Sequence, residues 1–222
     1  INVVGAGGPM GTMHVIRNIC QGVKGVSVWA GDMSDERLGQ LTHVAAPLAK
    51  TFGITFQTYH AINQPQNGPF DYIALMVPAP ALVASSVLQA APKAIINIFA
   101  GIPAQVAHPI DLNTYIEKQA FFIGTSGSTI EDMRIVLKKV TDRSLDTNLS
   151  VAAISGLDGA IDGIRAVEKQ TIAGKILVYP SCRGLKLTPL TELAGIHPTV
   201  AAKLHNGLWT RDAEQELIRQ YA

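Results

Sequence analysis

The stretch Ile1-Asn2-Val3-Val4-Gly5-Ala6-Gly7-Gly8-Pro9-Met10-Gly11 decides the fold. An apolar strand runs into a loop rich in glycine. Met13, Ile16 and Cys20, at helical spacing, then carry the chain away from it to about Gly22. A glycine loop that follows a strand and opens a helix has mechanical meaning. Gly5 permits a tight turn, Gly7 or Gly8 lets backbone N–H groups approach a pyrophosphate, and Gly11 lets the helix pack closely on the strand. Pro9 and Met10 complete the turn, and the helix N-terminus adds partial positive charge toward phosphate. The spacing departs from G-x-G-x-x-G by one residue. It reads as Gly5-x-Gly7-x-x-x-Gly11 or as Gly5-x-x-Gly8-x-x-Gly11, and an ordinary glycine-rich turn would look the same.

Asp32 moves the balance toward a dinucleotide. It closes the second strand, 21 positions after Gly11 (32 minus 11), where a carboxylate accepts hydrogen bonds from adenosine ribose hydroxyls. A 2′-phosphate there would meet negative charge, so Asp32 favours NAD. Arg37, close by in sequence, is the residue that would instead accommodate NADP.

Beyond this unit the pattern repeats. Strands are expected at residues 26–30, 55–59, 72–77, 94–99 and 121–124, and helices at about 81–91 and to about residue 140. Ser34 reads as the N-cap of a helix carrying Leu38, Leu41, Val44 and Ala45, and Pro47 is expected to kink or stop it. Ser128-Thr129-Ile130-Glu131 reads as a capping box. The alternation implies an α/β fold: a Rossmann, doubly wound parallel sheet with helices on both faces, over residues 1–150. Residues 151–222 form a C-terminal mixed segment. It has a short amphipathic helix whose apolar face carries Ile161, Ile164 and Val167, a strand at 175–179 and a tail with two short helices.

Composition excludes several classes. The chain has 222 residues, 47% of them hydrophobic and 16% charged, enough for a sizeable core. A net charge of +1 without a Lys/Arg stripe points away from nucleic acid and acidic membrane surfaces, and the apolar runs are too short to span a bilayer. Cys20 and Cys182 lie far apart, which argues against a disulfide framework and fits a reducing cytoplasm. Tyr115 and Lys118 are three apart rather than four, as a short-chain reductase pair would be. The histidines (14, 43, 60, 108, 197 and 205) show no metal spacing, and His14 reads as helix surface. The chain opens without Met, already inside a strand, and is read as a piece of a longer polypeptide.

The sequence resembles the medium-chain dehydrogenase/reductase family. The glycine loop, Asp32-Met33-Ser34-Asp35-Glu36-Arg37-Leu38, Ile98-Phe99-Ala100-Gly101-Ile102-Pro103, Ile123-Gly124-Thr125-Ser126-Gly127-Ser128 and Gly174-Lys175-Ile176-Leu177-Val178-Tyr179-Pro180 fall in that family's order. The Gly-Pro-Met-Gly turn, Leu187-Thr188-Pro189-Leu190 and Trp209-Thr210-Arg211-Asp212-Ala213-Glu214 are similar to its sugar-directed branch of sorbose-phosphate reductases. The resemblance implies that Val77-Pro78 and Ala100-Gly101-Ile102 lie against the nicotinamide, and that Thr125-Ser126 offer backbone groups to its carboxamide. It also implies a sugar alcohol, ketose or ketose phosphate as substrate, and a homodimer paired through an edge strand near residues 94–99. Catalytic zinc and proton-relay groups would belong to an N-terminal domain absent from this chain, so the chain alone is expected to bind cofactor without turnover. A non-catalytic dinucleotide sensor is the alternative.

Overall fold

The computed structural model describes residues 1–124 and 127–221. It divides into two units, Ile1–Leu145 and Asp146–Ala222.

The first unit runs β1 (Asn2–Val4), α1 (Pro9–Cys20), β2 (Ser27–Asp32), α2 (Asp35–Phe52), β3 (Thr55–His60), β4 (Phe70–Leu75), α3 (Pro80–Gln89), β5 (Ala90–Ile98), α4 (Leu112–Lys118), β6 (Phe121–Gly124) and α5 (Ile130–Thr141). The six strands are parallel and ordered β3-β2-β1-β4-β5-β6. The chain winds outward from β1 in one direction and then from β4 in the other, which is the Rossmann topology. Side-chain alternation along β1 separates the two cores. Val3 faces a cluster with Val15 and Ile19 of α1 and Leu41, Ala45 and Ala49 of α2. Val4 faces the other, with Ile73, Leu75, Ile96, and Val83 and Val87 of α3.

Several local outcomes differ from the sequence expectation. α2 does not stop at Pro47; it continues to Phe52 and ends at Gly53 in the left-handed region, φ 66°. Pro47 is exposed, while Leu41, Ala45 and Ala49 hold the opposite face of α2 in the core. The capping box sits one residue later than expected. The Thr129 hydroxyl accepts from the Asp132 N–H at 3.2 Å, and the Asp132 carboxylate accepts from the Thr129 N–H at 2.8 Å. α4 was not anticipated; its start is marked by Asp111, which accepts from the Thr114 N–H at 3.0 Å. β5 begins at Ala90 and is flanked on both sides, so residues 94–99 cannot be the pairing edge; the edges are β3 and β6.

The second unit comprises β7 (Val151–Ser155), α6 (Ala160–Glu168), β8 (Lys175–Val178), β9 (Thr188–Pro189), α7 (Leu193–Ile196), α8 (Pro198–Ala201) and α9 (Arg211–Tyr221). β7 pairs in parallel with β8 and antiparallel with β9. The tail thus has three helices rather than two, and it builds a core: Cys182, Leu185, Leu193, Val200, Trp209, Ala213 and Leu217 pack with Val151 and Ile154 of β7. α6 is the short amphipathic helix expected, and its apolar face with Ile161, Ile164 and Val167 is the exposed one. Gly163 and Ala166 are its buried residues, while Ile161, Ile164 and Val167 are 65%, 60% and 60% exposed. Helical periodicity locates an apolar stripe; it does not say which surface covers it.

Candidate functional site

In a parallel sheet every carboxyl end lies on one edge, and the crevice falls where the winding direction reverses, here between β1 and β4. The candidate residues described by the structure gather on that edge. The strand ladder continues past the strand ends and pins each loop. Gly5 and Ala6 N–H both donate to the Gly31 carbonyl at 2.9 Å, Met76 N–H donates to Val4 at 2.9 Å, and Phe99 and Ala100 N–H donate to Leu75 at 3.2 and 3.0 Å.

The four loop glycines are there for different reasons. Gly5 has φ +78°, and a Cβ on it would stand 2.3 Å from Val77 Cγ2. A Cβ on Gly11 would stand 2.3 Å from the Gly5 carbonyl oxygen and 2.6 Å from Ala6 Cα, so α1 lies directly on the loop. At Gly7 it would meet Arg37 Cβ at 2.6 Å and Asp32 Oδ2 at 2.9 Å. Gly8 differs. Its backbone is extended, φ −81° and ψ 166°, and the nearest atom to an added Cβ is the Gly5 oxygen at 4.0 Å. Nothing in the described protein demands a glycine at position 8. The two spacings therefore name two functions: Gly5, Gly7 and Gly11 fit the loop to the protein, and Gly8 keeps space open in front of it.

That space lies before the N-terminus of α1. Pro9 takes the first helical position, where no N–H is needed; among the described residues no side chain caps the helix, and its first turn has no acid. Thr12 ties the helix back to the loop, donating to the Ala6 carbonyl at 3.3 Å. The uncapped donors and the helix dipole make a ready seat for an anion.

Asp32 has a role that its spacing did not disclose. Its Oδ2 accepts from Gly7 N–H at 2.9 Å, and its Oδ1 accepts from Met33 and Ser34 N–H at 2.8 and 3.1 Å. The carboxylate therefore staples the glycine loop to the end of β2 and shapes the start of α2, where Ser34 accepts from Arg37 N–H at 3.3 Å. A carboxylate offers about four lone-pair sites, and these three backbone N–H groups take up three of them. Behind it, Gly31 makes room for the Tyr59 ring, whose hydroxyl donates to Asn2 Oδ1 at 3.0 Å. Burial pushes the Tyr59 hydroxyl above its ordinary pKa, with the Asn2 hydrogen bond acting in the other direction.

On the far side of the switch point, Val77, Pro78 and Gly101 are exposed, whereas Ala100 and Ile102 are half-buried. Ile102 packs on the core under β4 and β5. Thr125 and Ser126 lie outside the described residues. His14, read from sequence as helix surface, is half-buried instead. Its ring meets Phe99 edge-on with centroids 4.9 Å apart, and its Nδ1 lies 3.0 Å from the Met10 carbonyl. Burial holds its pKa below the ordinary value; the Met10 hydrogen bond raises it and nearby Arg17 lowers it.

A Rossmann sheet with a glycine loop, an open helix N-terminus and an acid at the second strand's end defines a dinucleotide-binding class. No family model matches the chain. It is similar to L-sorbose 1-phosphate reductase of Klebsiella pneumoniae, 34% identical over 154 residues that cover 67% of this chain and 36% of the reductase. It is also similar to the uncharacterised protein YggP of Escherichia coli, 24% identical across the whole chain and 56% of that protein. The chain thus spans roughly a third to just over half of the curated relatives it matches. Among solved structures, an Escherichia coli alcohol dehydrogenase complexed with NADH superposes with a TM-score of 0.64 at 19% identity, covering 80% of this chain and 51% of that one. The 2R,3R-butanediol dehydrogenase of Bacillus subtilis gives 0.64 at 18% identity, covering 81% and 50%. In sequence the chain is thus similar to that reductase, and its fold is the one these dehydrogenases carry over about half of their length.

Proposed function

We propose that the chain is the NAD-binding part of an oxidoreductase acting on a sugar alcohol, ketose or ketose phosphate. The observation that carries the cofactor reading is Gly8: a glycine that the protein does not require, opening onto an uncapped helix N-terminus, with the Asp32 carboxylate linked to it through Gly7. The substrate class is supported by the relative that reduces L-sorbose 1-phosphate. When bound, the nicotinamide supplies a carbon that accepts or donates hydride. The chain's own residues do the rest. The loop and the N-terminus of α1 hold the pyrophosphate charge, and the Asp32 carboxylate accepts a ribose hydroxyl. Val77, Pro78 and the turn Ala100-Gly101-Ile102 wall the nicotinamide on one side and keep water from it. Thr125 and Ser126 complete the assignment toward the carboxamide. Among the described residues no group of three or more His, Cys, Asp or Glu stands ready for a metal.

Titration of the chain with NADH and NADPH in a calorimeter tests this. Wild type is expected to bind NADH. Gly8→Ala, which its extended backbone accepts, is expected to keep the wild-type melting temperature and lose roughly 10-fold or more in affinity, because the new methyl occupies the anion's approach. Binding of NADPH alone would overturn the choice of NAD, and binding of neither would overturn the cofactor reading. Asp32→Ala is expected to remove the ribose contact and also release Gly7, so it should lower both affinity and melting temperature. Asp32→Asn can keep an acceptor toward one of the two loop segments, and a smaller thermal loss than that of Asp32→Ala would identify the staple. For the substrate, a longer protein containing this chain should oxidise a sugar alcohol or reduce a ketose phosphate; inactivity on both classes would sink that part.

A further inference from the structure

We propose that His14 is a positioning residue for the nicotinamide half of the cofactor: it ties the pyrophosphate helix to the turn at the end of β5. The proposal rests on the dinucleotide reading above. Three contacts carry it. A backbone carbonyl can only accept, so the 3.0 Å approach of Nδ1 to the Met10 oxygen fixes the proton on Nδ1 and the ring against the first turn of α1. The same ring meets Phe99 edge-on, 4.9 Å between centroids and 67° between planes. Phe99 and Ala100 N–H both hang from the Leu75 carbonyl, so the position of Phe99 sets where Ala100, Gly101 and Ile102 begin.

That turn needs lateral support. From residue 99 to Asp111 the chain has neither strand nor helix, and residues 103–109 are exposed. Phe99 is the first residue beyond β5, and His14 is what α1 offers it. The helix that holds the phosphates and the turn that would face the nicotinamide are thereby registered to each other through one imidazole. His14 does not need to touch the cofactor for this.

The experiment compares NADH with ADP-ribose, which keeps the adenosine, pyrophosphate and second ribose but lacks the nicotinamide. Both are titrated into wild type, His14→Ala and His14→Phe. For His14→Ala, NADH affinity is expected to fall about 3- to 10-fold, the size of one aromatic contact and one hydrogen bond, while ADP-ribose affinity stays within about 2-fold. His14→Phe, which keeps the ring edge against Phe99, should recover most of the NADH loss. An equal fall for both ligands would reduce His14 to a support of α1 and overturn the proposal; so would unchanged NADH binding, or failure of Phe to restore any of it. If wild type binds neither ligand, the dinucleotide reading falls and this inference with it. If wild type binds both and only the variants behave otherwise than expected, the dinucleotide reading survives and this inference alone is lost.

Discussion

Gly11→Ala is expected to destabilise the first unit by about 3 kcal/mol or more, at the upper end of overpacking effects. The added Cβ would stand 2.3 Å from the Gly5 oxygen and 2.6 Å from Ala6 Cα. Both are backbone atoms, so no side chain can rotate away. Relief requires α1 to lift from β1, which would pull Val15 and Ile19 out of the core shared with Leu41 and Ala45. Urea unfolding followed by far-UV dichroism measures it, with Gly8→Ala as the control expected to unfold at the wild-type midpoint. An unchanged midpoint for Gly11→Ala would mean that helix and loop are not in contact.

The second large effect belongs to the tail. Trp209→Ala is expected to cost about 3–5 kcal/mol in the second unit, the range for deleting a buried aromatic. Trp209 is 2% exposed and among the largest fully buried side chains, packed with Leu193, Val200, Ala213 and Leu217. Tyr179 leans on it at 6.3 Å between ring centroids and donates its hydroxyl to Glu214 at 2.9 Å, so losing the indole also loosens that hydrogen bond's setting. Thermal unfolding by dichroism, which does not depend on the removed fluorophore, reads the loss. A shift smaller than that of an exposed control such as Ile161→Ala would show that the tail has no core of its own.

The architecture was legible wherever a local signal matched the final environment. The strand-loop-helix order of residues 1–22 and the acid at the end of β2 needed no long-range information, because the strand period, glycine chemistry and helix period all agreed. Pro47 misled because a proline's cost depends on which side of the helix it faces, and that is set by tertiary packing. α4 was missed because its cap, Asp111 with Thr114, precedes only seven helical residues and no strong apolar period. The loop glycines illustrate the limit most clearly. Spacing alone left Gly7 and Gly8 interchangeable, whereas the space around each Cβ separates them. His14 carried no motif at all, and its contact with Phe99 joins residues 85 positions apart (99 minus 14).

α5 is a helix of twelve residues with none buried: Ile130, Met133 and Leu137 are 70%, 59% and 65% exposed. Its capping box, acids in the first turn and lysines in the last are what hold it, and a helix of this length is marginal in water without packing. In hydrogen–deuterium exchange its amides should therefore be among the first of any helix to lose protection. Those of β1 and β4, flanked by partners on both sides and buried in both cores, should be among the last. The first unit then carries a gradient of opening free energies running outward from β1 and β4, the two strands that flank the switch point.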